Sequence, residues 1–157
     1  MTPPVLYSID TSALLDGWIR YYPPDVFPPV WDRLSVLIED DRMIAPDEVR
    51  EELKRKLDGV HKWARGQKKL FVPLDPNVQA AAAEVLRAHP RLIDNRADRT
   101  SADPFVIAIA RTRGAIVVTG ERRTDSLKRP NIPDVCQAIG VPCLGMMELF
   151  RKEKWTF

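Results

Sequence analysis

Val5-Leu6-Tyr7-Ser8-Ile9-Asp10-Thr11-Ser12 is a short apolar run that rises into an aspartate and two hydroxyls. Such a run followed by Asp-Thr-Ser reads as a buried parallel strand, a turn and a helix start, because these side chains accept the free amide hydrogens of a first helical turn. An open α/β sheet keeps its site at the carboxyl ends of its strands. Taken alone, Asp10 would be no more than a helix cap.

Outward from that strand the alternation continues. Thr11 to Ile19 reads as a helix with Ala13, Leu14 and Ile19 among its apolar positions. The prolines from Pro23 to Pro29 break it, since each removes an amide donor and biases the preceding residue away from the helical region. Trp31, Leu34, Leu37 and Ile38 then recur at helical spacing up to Glu39-Asp40-Asp41. Met43-Ile44-Ala45 is a second strand, closed by Pro46, with Asp47 as the cap of a helix running to about Leu57. Val49, Leu53 and Leu57 form one stripe of that helix. At about 100° per residue, Glu52 lies about 100° from the stripe's centre, Glu48 about 140° and Glu51 about 160°. Glu52 is therefore the glutamate nearest the buried side, with a surface pair to Lys56 as its plainer role.

Gly59 to Lys69 continues as a basic helix or lid carrying Trp63, Phe71 to Leu74 is extended, and Asn77 to Ala88 is helical by propensity. Asp94 to Thr100 is polar and irregular. It leads into Ser101-Ala102-Asp103-Pro104-Phe105-Val106-Ile107-Ala108-Ile109-Ala110. Pro104 suits the first helical position, which makes Asp103 the cap of a helix apolar almost all round and presents that acid at the lip of the core. Gly114 ends the helix, and Ala115 to Val118 is a buried strand that stops at Thr119-Gly120-Glu121. A basic loop from Arg122 to Asn131 follows. Ile132-Pro133-Asp134-Val135-Cys136 starts a short helix that stops at Gly140, Val141 to Leu144 is a last strand, and Met146 to Lys152 a final helix. This order predicts a three-layer α/β/α sandwich with a central, mostly parallel sheet.

A chain of 157 residues reads as one domain, residues 1–157, able to bury about two thirds of its unfolded surface. Two cysteines, Cys136 and Cys143, are too few and too poorly spaced for a disulfide framework or a zinc site, which points to a reduced setting. No leader and no run near the roughly 18 apolar residues of a membrane span is evident, so a cytoplasmic protein without membrane association is expected. A formal charge of +2 does not announce nucleic acid. Basic clusters such as Lys54-Arg55-Lys56, Arg122-Arg123 and Lys128-Arg129 read first as solvated faces, yet they could rim an acidic centre. His61 and His89 read as surface residues and the tryptophans as packing, although Trp63 stands where it could stack on an RNA base.

Asp10, Asp103 and Glu121, at strand ends or helix starts, together with Glu52, would converge at the crevice of such a sheet. Four carboxylates cannot all stay ionised at close range without a cation. Oxygen-only ligands favour Mg²⁺ or Mn²⁺ over zinc, and such an ion polarises a phosphoryl oxygen and generates hydroxide, which makes phosphodiester hydrolysis the natural chemistry. Thr11 or Ser12 could hold a water or a phosphate oxygen there.

Ser-Ile-Asp10-Thr-Ser, Val49-Arg-Glu-Glu52-Leu53, Ala102-Asp103-Pro-Phe-Val-Ile-Ala and Val-Val-Thr119-Gly-Glu121 resemble the four acidic motifs of the PIN domain over almost the whole chain. The nearest look is to a DUF4411-like branch, in which an Ile-Pro-Asp-Val-Cys segment follows the fourth motif, as at Ile132 to Cys136. The resemblance implies a metal-dependent endoribonuclease of single-stranded RNA, a hydrolase that is often the toxin of a toxin–antitoxin pair, with a cognate antitoxin and a homodimer as partners. It carries catalytic and metal-binding roles to Asp10, Glu52, Asp103 and Glu121, with Thr11, Ser12 and Thr119 as polar neighbours. Asp125 lies close enough to share or replace the role of Glu121, and Glu51 stays open beside Glu52.

Two other readings compete. A phosphatase of the haloacid dehalogenase type also has an apolar strand ending in Asp-x-Asp and a later strand ending in Thr; Asp10 and Thr119 fit and Lys128 could serve, but Ser12 stands where the second aspartate belongs. A non-catalytic PIN-like module would use its basic rim to bind RNA or protein, and it gives no reason to hold so many repelling acids together.

Overall fold

In a computed structural model that describes residues 3–56, 58–94 and 102–157, strands and helices alternate along the chain. Their order is β1 (Tyr7–Ile9), α1 (Thr11–Asp16), α2 (Pro28–Glu39), β2 (Met43–Pro46), α3 (Asp47–Lys56), α4 (Asp58–Arg65), β3 (Phe71–Val72), α5 (Pro76–Ala88), α6 (Arg91–Asp94), α7 (Asp103–Arg113), β4 (Ile116–Val118), α8 (Ile132–Ile139), β5 (Cys143–Leu144) and α9 (Met146–Lys152). All strand pairings are parallel and the sheet order is β3-β2-β1-β4-β5. The chain builds outward from β1 to β2 and β3, then returns to place β4 on the other side of β1. The switch point, where an open sheet forms its crevice, therefore lies between β1 and β4. Register makes it sharp: Ile9 lies opposite Val118, and the Asp10 amide donates to the Val118 carbonyl at 2.9 Å, so both strands end level.

Burial on both faces explains the largely apolar strands. Ile44 packs with Val78, Ala81 and Ala82 of α5 and Ala108 and Ile109 of α7, and the Ser8 hydroxyl donates to the Val106 carbonyl of α7. Tyr7, Ile9, Met43 and Ala45, one position out of phase, join the larger cluster containing Leu34, Leu37 and Ile38 of α2. Helices thus cover both faces of the sheet. At its amino edge the Arg42 guanidinium grips Glu153 through two bonds of 2.9 and 2.6 Å, and the Tyr7 hydroxyl donates to the same carboxylate. Burial works to raise the Glu153 pKa, but the Arg42 and Tyr7 hydrogen bonds outweigh it and hold the carboxyl below its ordinary value.

Several expectations need correction. The first helix does not run as one α-helix to Ile19: after Asp16 the backbone widens into a π-helical turn, Gly17–Tyr21, which leaves Ile19 exposed. α3 opens on Asp47 itself, with Val49 and Leu53 buried as the stripe requires, while Leu57 lies outside the described residues. Asp94 closes α6, and the rest of the stretch read as irregular, with Ser101, lies outside the described residues too. Trp63 packs edge-on against Trp31 with 5.0 Å between ring centres, which favours packing over RNA stacking. Cys136 is a buried free thiol, as expected of a small apolar residue. Among the described residues no helix is long and apolar enough to cross a membrane.

Candidate metal centre

β1 delivers Asp10 to the switch point, but not as a cap. Its backbone precedes α1 in an extended conformation, and its side chain makes no capping bond. The carboxylate instead accepts from the Ser12 hydroxyl at 2.6 Å and from the Thr119 hydroxyl at 2.8 Å, which ties the first motif to the end of β4. Thr119 also accepts from the Glu121 amide at 3.1 Å, and the Gly120 amide donates to the Ser12 hydroxyl at 2.9 Å. The link requires glycine at 120. A Cβ there would lie 2.6 Å from an Asp16 carboxylate oxygen and 2.9 Å from the Ser12 carbonyl.

Asp103 reaches the same place from α7. It is the first residue of that helix and Ala102 precedes it as the cap residue, so the expectation of a capping aspartate is corrected. The amide of Ala102 is held from across the fold, by Glu52 at 3.0 Å, and the same glutamate oxygen accepts from the Thr11 hydroxyl at 3.1 Å. Glu52 thereby brackets the starts of α1 and α7. Ligand oxygens of Asp10, Asp103 and Glu121 come within 4.8 Å of one another, with both aspartates buried and Glu121 half-buried. Glu52 stands beside that trio and outside it. Glu51 is exposed, and so is Asp125, at a backbone φ of 58°.

Glu121 is steadied from the far side of its loop by the Ile132 amide, the first of α8, at 2.9 Å. The loop itself is organised by a residue whose role sequence reasoning missed. Asp134 accepts from the amides of Thr124, Asp125 and Asn131 at 2.8 to 3.0 Å and from the Thr124 hydroxyl at 3.0 Å. Burial works to raise its pKa, but those donors prevail and hold it below the usual carboxylate value. The available signal was the Asn131-to-Asp134 spacing, that of a helix cap and its third residue.

Asp10 shows the opposite balance. Burial, then the negative charge of Glu121, pushes its pKa up to about 7, against the Ser12 and Thr119 hydrogen bonds that favour the charged form; Glu52 adds to the rise. A divalent cation relieves that conflict. Three carboxylate donors without nitrogen or sulfur suit Mg²⁺ or Mn²⁺. At ligand distances of about 2.1 Å an octahedral ion holds adjacent oxygens about 3.0 Å apart and opposite ones about 4.2 Å apart, so three oxygens within 4.8 Å of one another reach a common ion by small side-chain movements. The residues fit the ion. A haloacid dehalogenase acid–base pair needs a second carboxylate at position 12, where this chain has Ser12 donating its hydroxyl to Asp10.

A parallel sheet whose β1/β4 switch point gathers carboxylates defines a PIN-like α/β protein with an acidic pocket. The chain belongs to the DUF4411 family, described as a domain of unknown function, whose pattern residues 7–157 match. No curated protein matches the chain in sequence. Among solved structures, VapBC2 from Rickettsia felis, bound to a DNA fragment from their promoter, is similar with a TM-score of 0.52 and 15% identity, covering 90% of this chain and 98% of that one. FitAcB from Neisseria gonorrhoeae gives 0.49 and 18%, covering 88% and 96%. The first of these likenesses concerns the fold.

Proposed function

We propose that this protein is a Mg²⁺- or Mn²⁺-dependent endoribonuclease that hydrolyses single-stranded RNA, and that it acts as the toxin of a toxin–antitoxin pair. The observation that carries the reading is the convergence of Asp10, Asp103 and Glu121 within 4.8 Å at the sheet's switch point. A bound divalent ion supplies charge neutralisation, polarisation of a phosphoryl oxygen and a water of lowered pKa. The chain's own residues do the rest. Asp10, Asp103 and Glu121 offer the ligand oxygens, Ser12 and Thr119 orient Asp10, and Glu52 fixes the helix starts that carry Thr11 and Asp103. The toxin assignment draws on the fold shared with VapBC2; a cognate antitoxin and a homodimer are the partners it brings.

The test is cleavage of a labelled single-stranded RNA by purified protein in Mg²⁺, in Mn²⁺ and in excess chelator. Cutting should need the metal, and Asp10→Asn and Asp103→Asn should each reduce it to background while circular dichroism shows a folded protein. Full activity in chelator, or wild-type rates in either variant, defeats the proposal. Induced expression should arrest growth with the wild-type chain and not with Asp10→Asn.

A further inference from the structure

A cleft of about 810 Å³ opens directly beside the acidic pocket, sharing Thr119 and Glu121 with it. That volume falls within the range of small-molecule and cofactor sites. The π-helical turn after α1 ends at Tyr21, which stands 55% exposed on the cleft's wall, and Tyr22 beside it is fixed by an edge-on contact with Phe150 at 5.0 Å. Arg122 and Arg123, the basic pair that follows the fourth acid, line the same cleft. Arg123 reaches Gln137 at 3.3 Å and Asp125 at 4.0 Å. The Arg122 carbonyl is anchored by the Asn131 side chain at 2.8 Å, whereas its exposed guanidinium makes no ion pair among the described residues.

We propose that this cleft binds the nucleotide adjoining the scissile phosphate of a single-stranded RNA, with Tyr21 stacking on the base and Arg122 holding the backbone. The inference rests on the ribonuclease reading and names where its substrate lies. Continuity fixes the location: a phosphate held at Glu121 places the next nucleoside where the pocket opens into the cleft. Charge fixes the orientation. Asp16 and Glu148 also line the cleft, and Glu148 already accepts from the Gly145 amide at 3.1 Å. Phosphates are repelled by those carboxylates and drawn to the arginines, while carboxylates can accept the amino and imino hydrogens of a base. An exposed aromatic ring and a guanidinium lining one cleft are the chemistry that holds a single strand without a set sequence.

The experiment separates binding from cutting. A fluorescent single-stranded RNA oligonucleotide is titrated in Ca²⁺ against wild type, Tyr21→Ala, Tyr21→Phe and Arg122→Ala, with cleavage kinetics in Mg²⁺ and Mn²⁺ affinity measured alongside. Tyr21→Ala and Arg122→Ala should each weaken binding about fivefold or more and raise KM in step, with kcat and Mn²⁺ affinity within about twofold. Tyr21→Phe should behave as wild type, and Arg122→Ala should flatten the slope of log Kd against log salt by about 0.7. RNA cleavage with Kd and KM unmoved in both alanine variants overturns the cleft assignment and leaves the nuclease standing. Oligonucleotide binding that depends on Tyr21 without any cleavage upholds the cleft as an RNA site and removes the nuclease. Variants that bind RNA normally but lose a co-purifying protein overturn RNA as the occupant.

Discussion

Asp10 sits where a carboxylate is least comfortable, 1% exposed and facing Glu121. Its ordinary pKa is 3.8 and its folded value about 7, so between those values the folded state holds a proton that the unfolded state releases. Stability from this group is fully present below the lower value and is lost as pH rises through the upper one. In chelator, wild-type protein should therefore lose on the order of a few kcal/mol between pH 4 and pH 8. Asp10→Asn should lack that part of the slope and be the more stable of the two at pH 8. Added Mn²⁺ should restore the wild type and not the variant, as thermal melts across pH will show. Gly120 is the other sensitive position. In Gly120→Ala the Asp16 side chain can swing away, but the Ser12 backbone cannot. A loss of about 1–3 kcal/mol in chemical denaturation, together with weaker Mn²⁺ binding, is expected. At this scale the acids at Asp10, Asp103 and Glu121 were legible because strand ends and helix starts mark themselves in sequence. The capping role given to Asp103 failed because the partner of the neighbouring amide is Glu52, fifty residues away along the chain.

Among the elements, α8 with the loop before it shows how one carboxylate can order a segment of chain. Four donors converge on Asp134, and the amide that opens the same helix holds Glu121. Asp134→Ala leaves those partly solvated donors without an acceptor and should cost about 1–2 kcal/mol. Because it frees the loop that positions Glu121, it should also weaken Mn²⁺ binding by about 10–100-fold, as calorimetric titration would measure. The folded pKa of Asp134 lies below its ordinary value of 3.8, so its contribution is present above that value and fades as pH falls through the folded one. The stability gap between variant and wild type should close in acid. Helix start and stop signals made α8 readable, with proline near its start and Gly140 at a φ of 76° at its end. The convergence on Asp134 was not readable, since its partners lie in a polar loop of no fixed period. The π-helical turn was equally hidden: Gly17 to Tyr21 continue an acceptable α pattern, and nothing in their spacing marks a wider turn.

Across the whole molecule the sheet has two poles with different tasks. Alternating elements foretold a parallel sheet, but the order β3-β2-β1-β4-β5, and with it the switch point, depends on where the chain returns after β3. That return is a tertiary fact. The carboxyl pole gathers acids at a cost in stability, whereas the amino pole holds Tyr7, Arg42 and Glu153 in a satisfied network. Arg42 and Glu153 are far apart in sequence, so no local pattern announces their pairing. β1 joins the poles, and the three steps from Tyr7 to Asp10 span about 10 Å of strand. Glu153→Ala would strand the Arg42 guanidinium and the Tyr7 hydroxyl. With the pair's side chains 25% and 11% exposed, solvent screening reduces the penalty from that of a fully buried pair to about 1–3 kcal/mol. Melting temperature should fall accordingly, while Mn²⁺ affinity and any RNA cleavage stay within about twofold, because among the described residues no side-chain hydrogen bond or ion pair of Tyr7, Arg42 or Glu153 reaches the acidic pocket. A Glu153→Ala protein that remains folded at the assay temperature yet binds Mn²⁺ tenfold more weakly would mean that the poles are mechanically coupled through β1, and the division of stability from chemistry would fail.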